Sequence, residues 1–188
     1  MTEKYGRYFI AIIPAEPWYS EALQLKKEVR DVYESKGALR SPPHITLHMP
    51  FRWTLKKTEI LKKTLSEIAA SLPTFQVSFD GFGSFEPKVL FIRVRPDPDL
   101  IEFQKKLVTR IRLQLNVFNA DYRDLPFRPH LTIGFRDLSP KNFELAWQKF
   151  QHEKFEGNFT VQAITLLKST DAGWVNDTNF ELQEINKP

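Results

Sequence analysis

At 188 residues, with 41% apolar and 27% charged side chains, the chain is long enough for one domain or two small lobes around a substantial core. It has no cysteine, which excludes disulfides, thiolate metal sites and a cysteine nucleophile. Its 7 glycines form no Gly-rich loop, which argues against a P-loop or dinucleotide-binding fold. The net charge of +4 leans mildly toward anionic partners such as nucleotides or RNA, without any basic run long enough to act as a nucleic-acid tail.

The first apolar stretch, Tyr8 to Ile13, ends at Pro14. It is too short for a signal-peptide core or a membrane span, so a cytoplasmic protein without membrane contact is expected. Arg7 to Pro14 reads as a buried strand. Glu16 to Tyr33 has helical spacing, with Trp18, Ala22, Leu25 and Val29 on one side, and Gly37 ends it. The loop Ala38 to Pro43 leads into the strand Pro43-His44-Ile45-Thr46-Leu47. Leu55 to Ser71 is a second amphipathic helix. Phe75 to Gly83 and Lys88 to Arg95 read as strands joined by a turn at Ser84 to Pro87.

The order then restarts. Val89 to Val94 is a strand broken by Pro96 and Pro98, and Leu100 to Leu115 is a helix. A loop with Pro126 and Pro129 leads into Pro129-His130-Leu131-Thr132-Ile133, a second copy of the first pentapeptide pattern. Phe143 to Phe150 is helical. Phe159 to Ser169 and Trp174 to Gln183 read as two closing strands joined near Asp171 to Gly173. The two histidines lie 86 positions apart, close to half the chain, and the Phe75 and Phe159 strands follow at similar offsets. This parallel predicts a single bilobal domain with halves of about 1–86 and 87–188. Each half contributes one strand to a shared cleft, and the lobes pack as a rigid body.

Each pentapeptide alternates polar and apolar residues, the period of a half-buried strand. Ile45, Leu47, Leu131 and Ile133 are expected in the core. His44 and Thr46 share the other face roughly 6.6 Å apart, as do His130 and Thr132. One His-x-Thr is an ordinary strand fragment, and threonine favours strands on its own account. Two matched copies offer two imidazoles and two hydroxyls, a set suited to a phosphate. Imidazoles exchange protons near neutral pH, one neutral and one protonated, while hydroxyls can bond the non-bridging oxygens. A metal suits the pattern poorly: His44 and His48 would be roughly 13 Å apart along a regular strand, and no carboxylate lies in either motif. His48 is expected at a solvated strand end or lining the cleft's edge, and His152 on the surface. Phe51, Trp53, Phe82, Phe85 and Phe127 lie near the motifs, where rings either stack on bases or fill the core. Arg40 and Arg128 precede the motifs, where arginine either steers phosphate or is simply solvated.

The two motifs His44-Ile45-Thr46-Leu47 and His130-Leu131-Thr132-Ile133 resemble those of the 2H phosphoesterase superfamily. Within it, the chain resembles the 2′-5′ RNA ligase-like branch, also called RNA 2′,3′-cyclic phosphodiesterases. The opening RYFIAIIP, the GFGSF stretch before VLFIRV and the PHLTIGF form of the second motif support this, in the same order over nearly the whole chain. The resemblance implies an α+β fold of two pseudo-symmetric lobes, each with an antiparallel sheet lining a central cleft and helices outside. It implies metal-independent opening of 2′,3′-cyclic phosphates of RNA ends or nucleotides to 2′-phosphates, with 2′-5′ ligation in some members; no cofactor and a monomer are expected. By position, His44 and His130 are the acid–base pair, and Thr46 and Thr132 grip the phosphate. Arg136, Phe51, Phe85 and Phe127 are candidate substrate contacts. Many relatives carry arginine soon after the second motif, whereas here Gly134 and Phe135 intervene before Arg136. That arginine shares the His130 face only if the strand stays regular past Gly134. Two alternatives stand beside this: a non-catalytic RNA- or nucleotide-binding module, and the same chemistry on another cyclic phosphate such as one derived from ADP-ribose.

Overall fold

The computed structural model describes residues 3–119 and 126–184. Its strands are β1 (Tyr5–Ile12), β2 (Ile45–Thr54), β3 (Phe75–Phe85), β4 (Val89–Val94), β5 (His130–Gly134), β6 (Glu156–Val161), β7 (Ala163–Thr170) and β8 (Gly173–Glu181). Its helices are α1 (Trp18–Tyr33), α2 (Thr58–Ala70), α3 (Pro98–Leu115) and α4 (Pro140–Phe150). The strands form two antiparallel sheets of four, ordered β2-β1-β7-β8 and β5-β4-β3-β6. Each lobe therefore repeats one arrangement: a strand, a helix, and a motif strand laid antiparallel at the sheet's edge beside the first. This is the two-lobed α+β architecture that the repeated order of elements anticipates.

The sheets do not follow the sequence halves. β3 precedes residue 86 but lies in the second sheet, while β7 and β8 complete the first. Phe159 to Ser169, read from its apolar content as one strand, is two. β6 ends at Val161 and β7 starts at Ala163, and they belong to different sheets. Gln162 is the crossing point, where its carbonyl accepts the Leu182 N–H at 2.7 Å. An uninterrupted apolar run hides such a crossing, because both sheets bury their strands in one core.

One helix crosses between the lobes as well. α1 follows a strand of the first sheet yet packs against β5 and α4 of the second lobe. α2 packs against β8 and α3, and α3 lies over β2 and β3. One continuous core results, running from Tyr8, Ile10 and Ile12 through Leu61 and Leu65 to Phe143 and Phe150. The other face of β1 makes a separate small cluster of Phe9, Ala11 and Leu167, flanked by Ile13 and Trp174. β1 is thus apolar on both faces.

Two local devices fix the loop before the first motif strand. α1 ends at Glu34 in a left-handed conformation (φ 59°), and a 3-10 turn at Gly37–Arg40 follows. The Asp137 carboxylate, from just beyond β5, accepts from Ser35 Oγ at 2.7 Å and from the N–H groups of Lys36 and Gly37 at 2.9 and 2.8 Å. Gly173 closes the other side. A Cβ on it would stand 2.4 Å from the Arg40 carbonyl oxygen, and its φ of +130° is a conformation open mainly to glycine.

Candidate active site

The motif strands are the edges of their sheets, and β2 and β5 touch. Ile45, Leu47, Leu131 and Ile133 are fully buried, while His44, Thr46, His130 and Thr132 are each partly exposed. The apolar residues anchor the strands in the core and leave the polar ones on the other face.

Both histidines are held alike. His44 Nδ1 lies 2.8 Å from the Pro42 carbonyl oxygen, and His130 Nδ1 lies 2.8 Å from the Arg128 carbonyl oxygen, two residues back in each case. A carbonyl only accepts, so Nδ1 carries the hydrogen and Nε2 is left as the nitrogen for proton exchange. The motif strands also carry the same irregularity. Thr46 faces Ala11 and His48 faces Ile10, with Leu47 as the extra residue. Likewise Thr132 faces Phe91 and Gly134 faces Leu90, with Ile133 extra. A bulge after each threonine therefore ends the alternation at the same point in both copies.

That bulge moves two residues from where a regular strand would put them. His48 is turned inward beside Ile10 and is 0% exposed, so it is neither solvated nor on the cleft's edge. Its Nδ1 donates to the Met49 carbonyl at 2.9 Å, its ring stands edge-on to Phe51, and its Nε2 is buried without a partner. Arg136 lies in the turn after β5, its guanidinium 5.3 Å from the Phe135 ring centre, so strand alternation does not carry it onto the His130 face.

The aromatic candidates separate. Phe85 stands edge-on to His130 with ring centres 5.1 Å apart and packs on Phe91 at 4.5 Å. Phe51 is buried against Tyr8 and His48, and Phe82 is buried against Phe150 and Phe155. Phe127 and Trp53 are partly buried against the core. Sequence reasoning passed over the rings beside His44. Phe9 lies 4.9 Å from the imidazole and 4.7 Å, edge-on, from Trp174, with the Arg7 guanidinium 5.8 Å from the Trp174 ring. The available signal was β1 itself, whose Phe9 and Ala11 are apolar on the face opposite Tyr8, Ile10 and Ile12.

The site resists positive charge at its histidines. Burial pushes His44 down to about 3, helped by the Lys26 cation and by charge on His130, against the opposing hydrogen bond to Pro42. Burial also lowers His130, whose bond to Arg128 works the other way. Among the described residues, no three His, Asp or Glu side chains gather in a way that could hold a metal ion.

The profile of the 2′-5′ RNA ligase superfamily matches residues 14–173. A phosphoesterase-named protein of Bacillus cereus (strain AH820) is 32% identical over 180 residues, covering 94% of this chain and 97% of its own. One from Geobacillus sp. (strain WCH70) is 29% identical over 169 residues, covering 89% and 90%. In three dimensions the chain resembles the TT0787 protein of Thermus thermophilus, with a TM-score of 0.68 at 17% identity, covering 95% of this chain and 98% of that one. It also resembles E. coli LigT complexed with 3′-AMP, with a TM-score of 0.61 at 20% identity and coverage of 96% and 99%. The same protein complexed with ATP gives a TM-score of 0.57 at 22% identity, covering 97% and 99%.

Proposed function

Because the chain belongs to the 2′-5′ RNA ligase superfamily, whose relatives are named phosphoesterases, we propose that its two His-x-Thr strands open 2′,3′-cyclic phosphates to 2′-phosphates by acid–base catalysis. The observation that carries this is the matched anchoring of His44 and His130, each with Nδ1 tied to the carbonyl two residues back and Nε2 left for the substrate.

In the reaction, one neutral Nε2 takes a proton from water as its oxygen attacks phosphorus. The other imidazole, protonated, gives its Nε2 proton to the departing 3′ oxygen. The P–O3′ bond breaks, the phosphate remains on the 2′ oxygen, and the two rings end with their protonation states exchanged. Thr46 and Thr132 donate hydroxyl hydrogens to the non-bridging oxygens, where negative charge accumulates. No step requires a metal, because the protein supplies both the proton and the hydrogen-bond donors. With a 5′-hydroxyl in place of water, the same ring opening would form a P–O5′ bond as the P–O3′ bond breaks, giving a 2′-5′ linkage.

A nucleotide-sized substrate suits the more exposed rings on either side: Trp174, backed by buried Phe9, on the His44 side, and Phe85, backed by buried Phe91, on the His130 side. The nucleotide complexes of the LigT neighbour favour the same substrate class. Hydrolysis of 2′,3′-cyclic nucleotides in EDTA tests this directly. Wild type should turn over, and His44→Ala and His130→Ala should each lose about 10²-fold or more. Full activity in the double variant, or tight nucleotide binding without turnover in wild type, would refute catalysis by this pair.

A further inference from the structure

Lys26 is a lysine in the position of a core residue. It lies on the inward stripe of α1 with Ala22, Val29 and Tyr33, and is 1% exposed. Its Nζ donates to three carbonyl oxygens of the loop before the first motif strand: Ala38 at 3.0 Å, Ser41 at 3.0 Å and Pro42 at 3.1 Å. The third of these is also the acceptor of His44 Nδ1. Lys26 and His44 therefore share one oxygen atom.

Burial lowers the proton affinity of the Lys26 amine, to about 7. The three carbonyls act the other way. An ammonium has three N–H donors and satisfies all three. A neutral amine has two and would turn its lone pair on the remaining carbonyl. The acceptor set fits the cation, and no carboxylate is paired with it among the described residues.

A carbonyl already bound to a cation is a poorer acceptor for an imidazolium N–H, because the second positive charge is felt through the shared oxygen. Neutral imidazole suffers far less. At His130 the matching carbonyl belongs to Arg128, and among the described residues no lysine donates to it. The other groups around His44 do not alter this. Phe9 from β1 and Trp174 from β8 do not titrate, and His130 from β5 is itself disfavoured from sharing charge with it.

We propose that Lys26 is a positioning residue that makes the duplicated site unequal. Through the Pro42 carbonyl it fixes the His44 ring and keeps it neutral, so that His44 Nε2 accepts the proton of the attacking water and His130 Nε2 donates to the leaving oxygen. The role rests on the phosphoesterase function proposed above, but the inequality of the two rings can be read without any substrate.

The experiment is an NMR titration of both imidazoles, side by side with kcat/KM against pH on a 2′,3′-cyclic nucleotide, in wild type and Lys26→Met. In wild type His44 should titrate at least about one pH unit below His130. In Lys26→Met, His44 should move upward by about one unit, His130 by a few tenths at most, and the acid limb of kcat/KM should move with His44. A purely structural lysine would cost stability and leave the His44 titration in place. A folded Lys26→Met protein with an unmoved His44, or an acid limb that follows His130, overturns the proposal. If the variant does not fold, the wild-type titration decides: equal values for the two rings overturn it. A wild type inert toward cyclic nucleotides with unequal rings would sink the phosphoesterase reading and the proton-transfer roles, leaving the Lys26–His44 coupling standing.

Discussion

His44 and His130 come from different sheets, yet charge on His130 depresses the proton affinity of His44. Burial is the larger cause, and the second ring adds to it. In the proposed mechanism the two rings hold a single proton between them, the state that concerted transfer needs.

The pH profile follows with a definite sign. A base works above its pKa, and His44 lies far below the ordinary histidine value of about 6.5. An acid works below its pKa, and burial lowers His130 from that same value. The kcat/KM of the free enzyme should therefore peak below about pH 6.5 and fall as pH rises and His130 loses its proton. A rate constant flat from about pH 6 to 8 would show that His130 is not the acid.

Thr46 and Thr132 sit on the same face as the histidines, and valine has nearly the same shape as threonine. Thr46→Val and Thr132→Val should each lower kcat by about 10²-fold while leaving thermal stability close to wild type. Serine at either position should recover most of the rate. A rise in KM with kcat unchanged would mean that the hydroxyls bind the ground state as well as the transition state.

His48 should make the protein acid-sensitive. It is fully buried with an unpartnered Nε2, and burial lowers its pKa. A depressed histidine gives its full stability above the unfolded value of about 6.5 and loses it as pH falls toward the folded value, at up to about 1.4 kcal/mol per pH unit. His48→Asn retains a donor for the Met49 carbonyl but cannot take a proton. Urea unfolding at about pH 7 and pH 5 should show a variant that is weaker at neutral pH but declines less on acidification. An unchanged pH slope would exclude His48 as a source of acid sensitivity.

Gly173→Ala should reach the site through the chain. The added Cβ meets the Arg40 carbonyl at 2.4 Å and imposes a strained φ. A loss of about 1–3 kcal/mol in stability is expected, with a fall in kcat as the segment carrying Pro42 and His44 shifts. A variant with wild-type melting temperature would show that the loop yields at no cost.

The recurrence of proline, histidine, aliphatic, threonine, aliphatic made both motif strands legible, because strand periodicity is local and the core takes every second residue. The lobed fold was legible for a related reason: the order of elements repeats around each copy. What could not be read depends on register or on long-range packing. The bulges at Leu47 and Ile133 come from pairing with β1 and β4, so the inward turn of His48 and the placing of Arg136 had no local sign. Lys26 falls on the apolar stripe of α1 between Ala22 and Val29, a hint only in hindsight, since its partners arrive from another segment. Phe9 escaped because an all-apolar strand does not show which of its faces meets the His44 ring.

The exchange of strands and of α1 between the lobes has a mechanical consequence. A cut between residues 86 and 87 would leave one fragment holding β1, β2 and β3 and the other holding β4 to β8, so neither would own a complete sheet. The lobes are interlocked like clasped hands rather than hinged like jaws. α1, which leads into the His44 strand, lies on β5, the strand of His130, so the two motif strands are tied together through that helix as well as through their own contact.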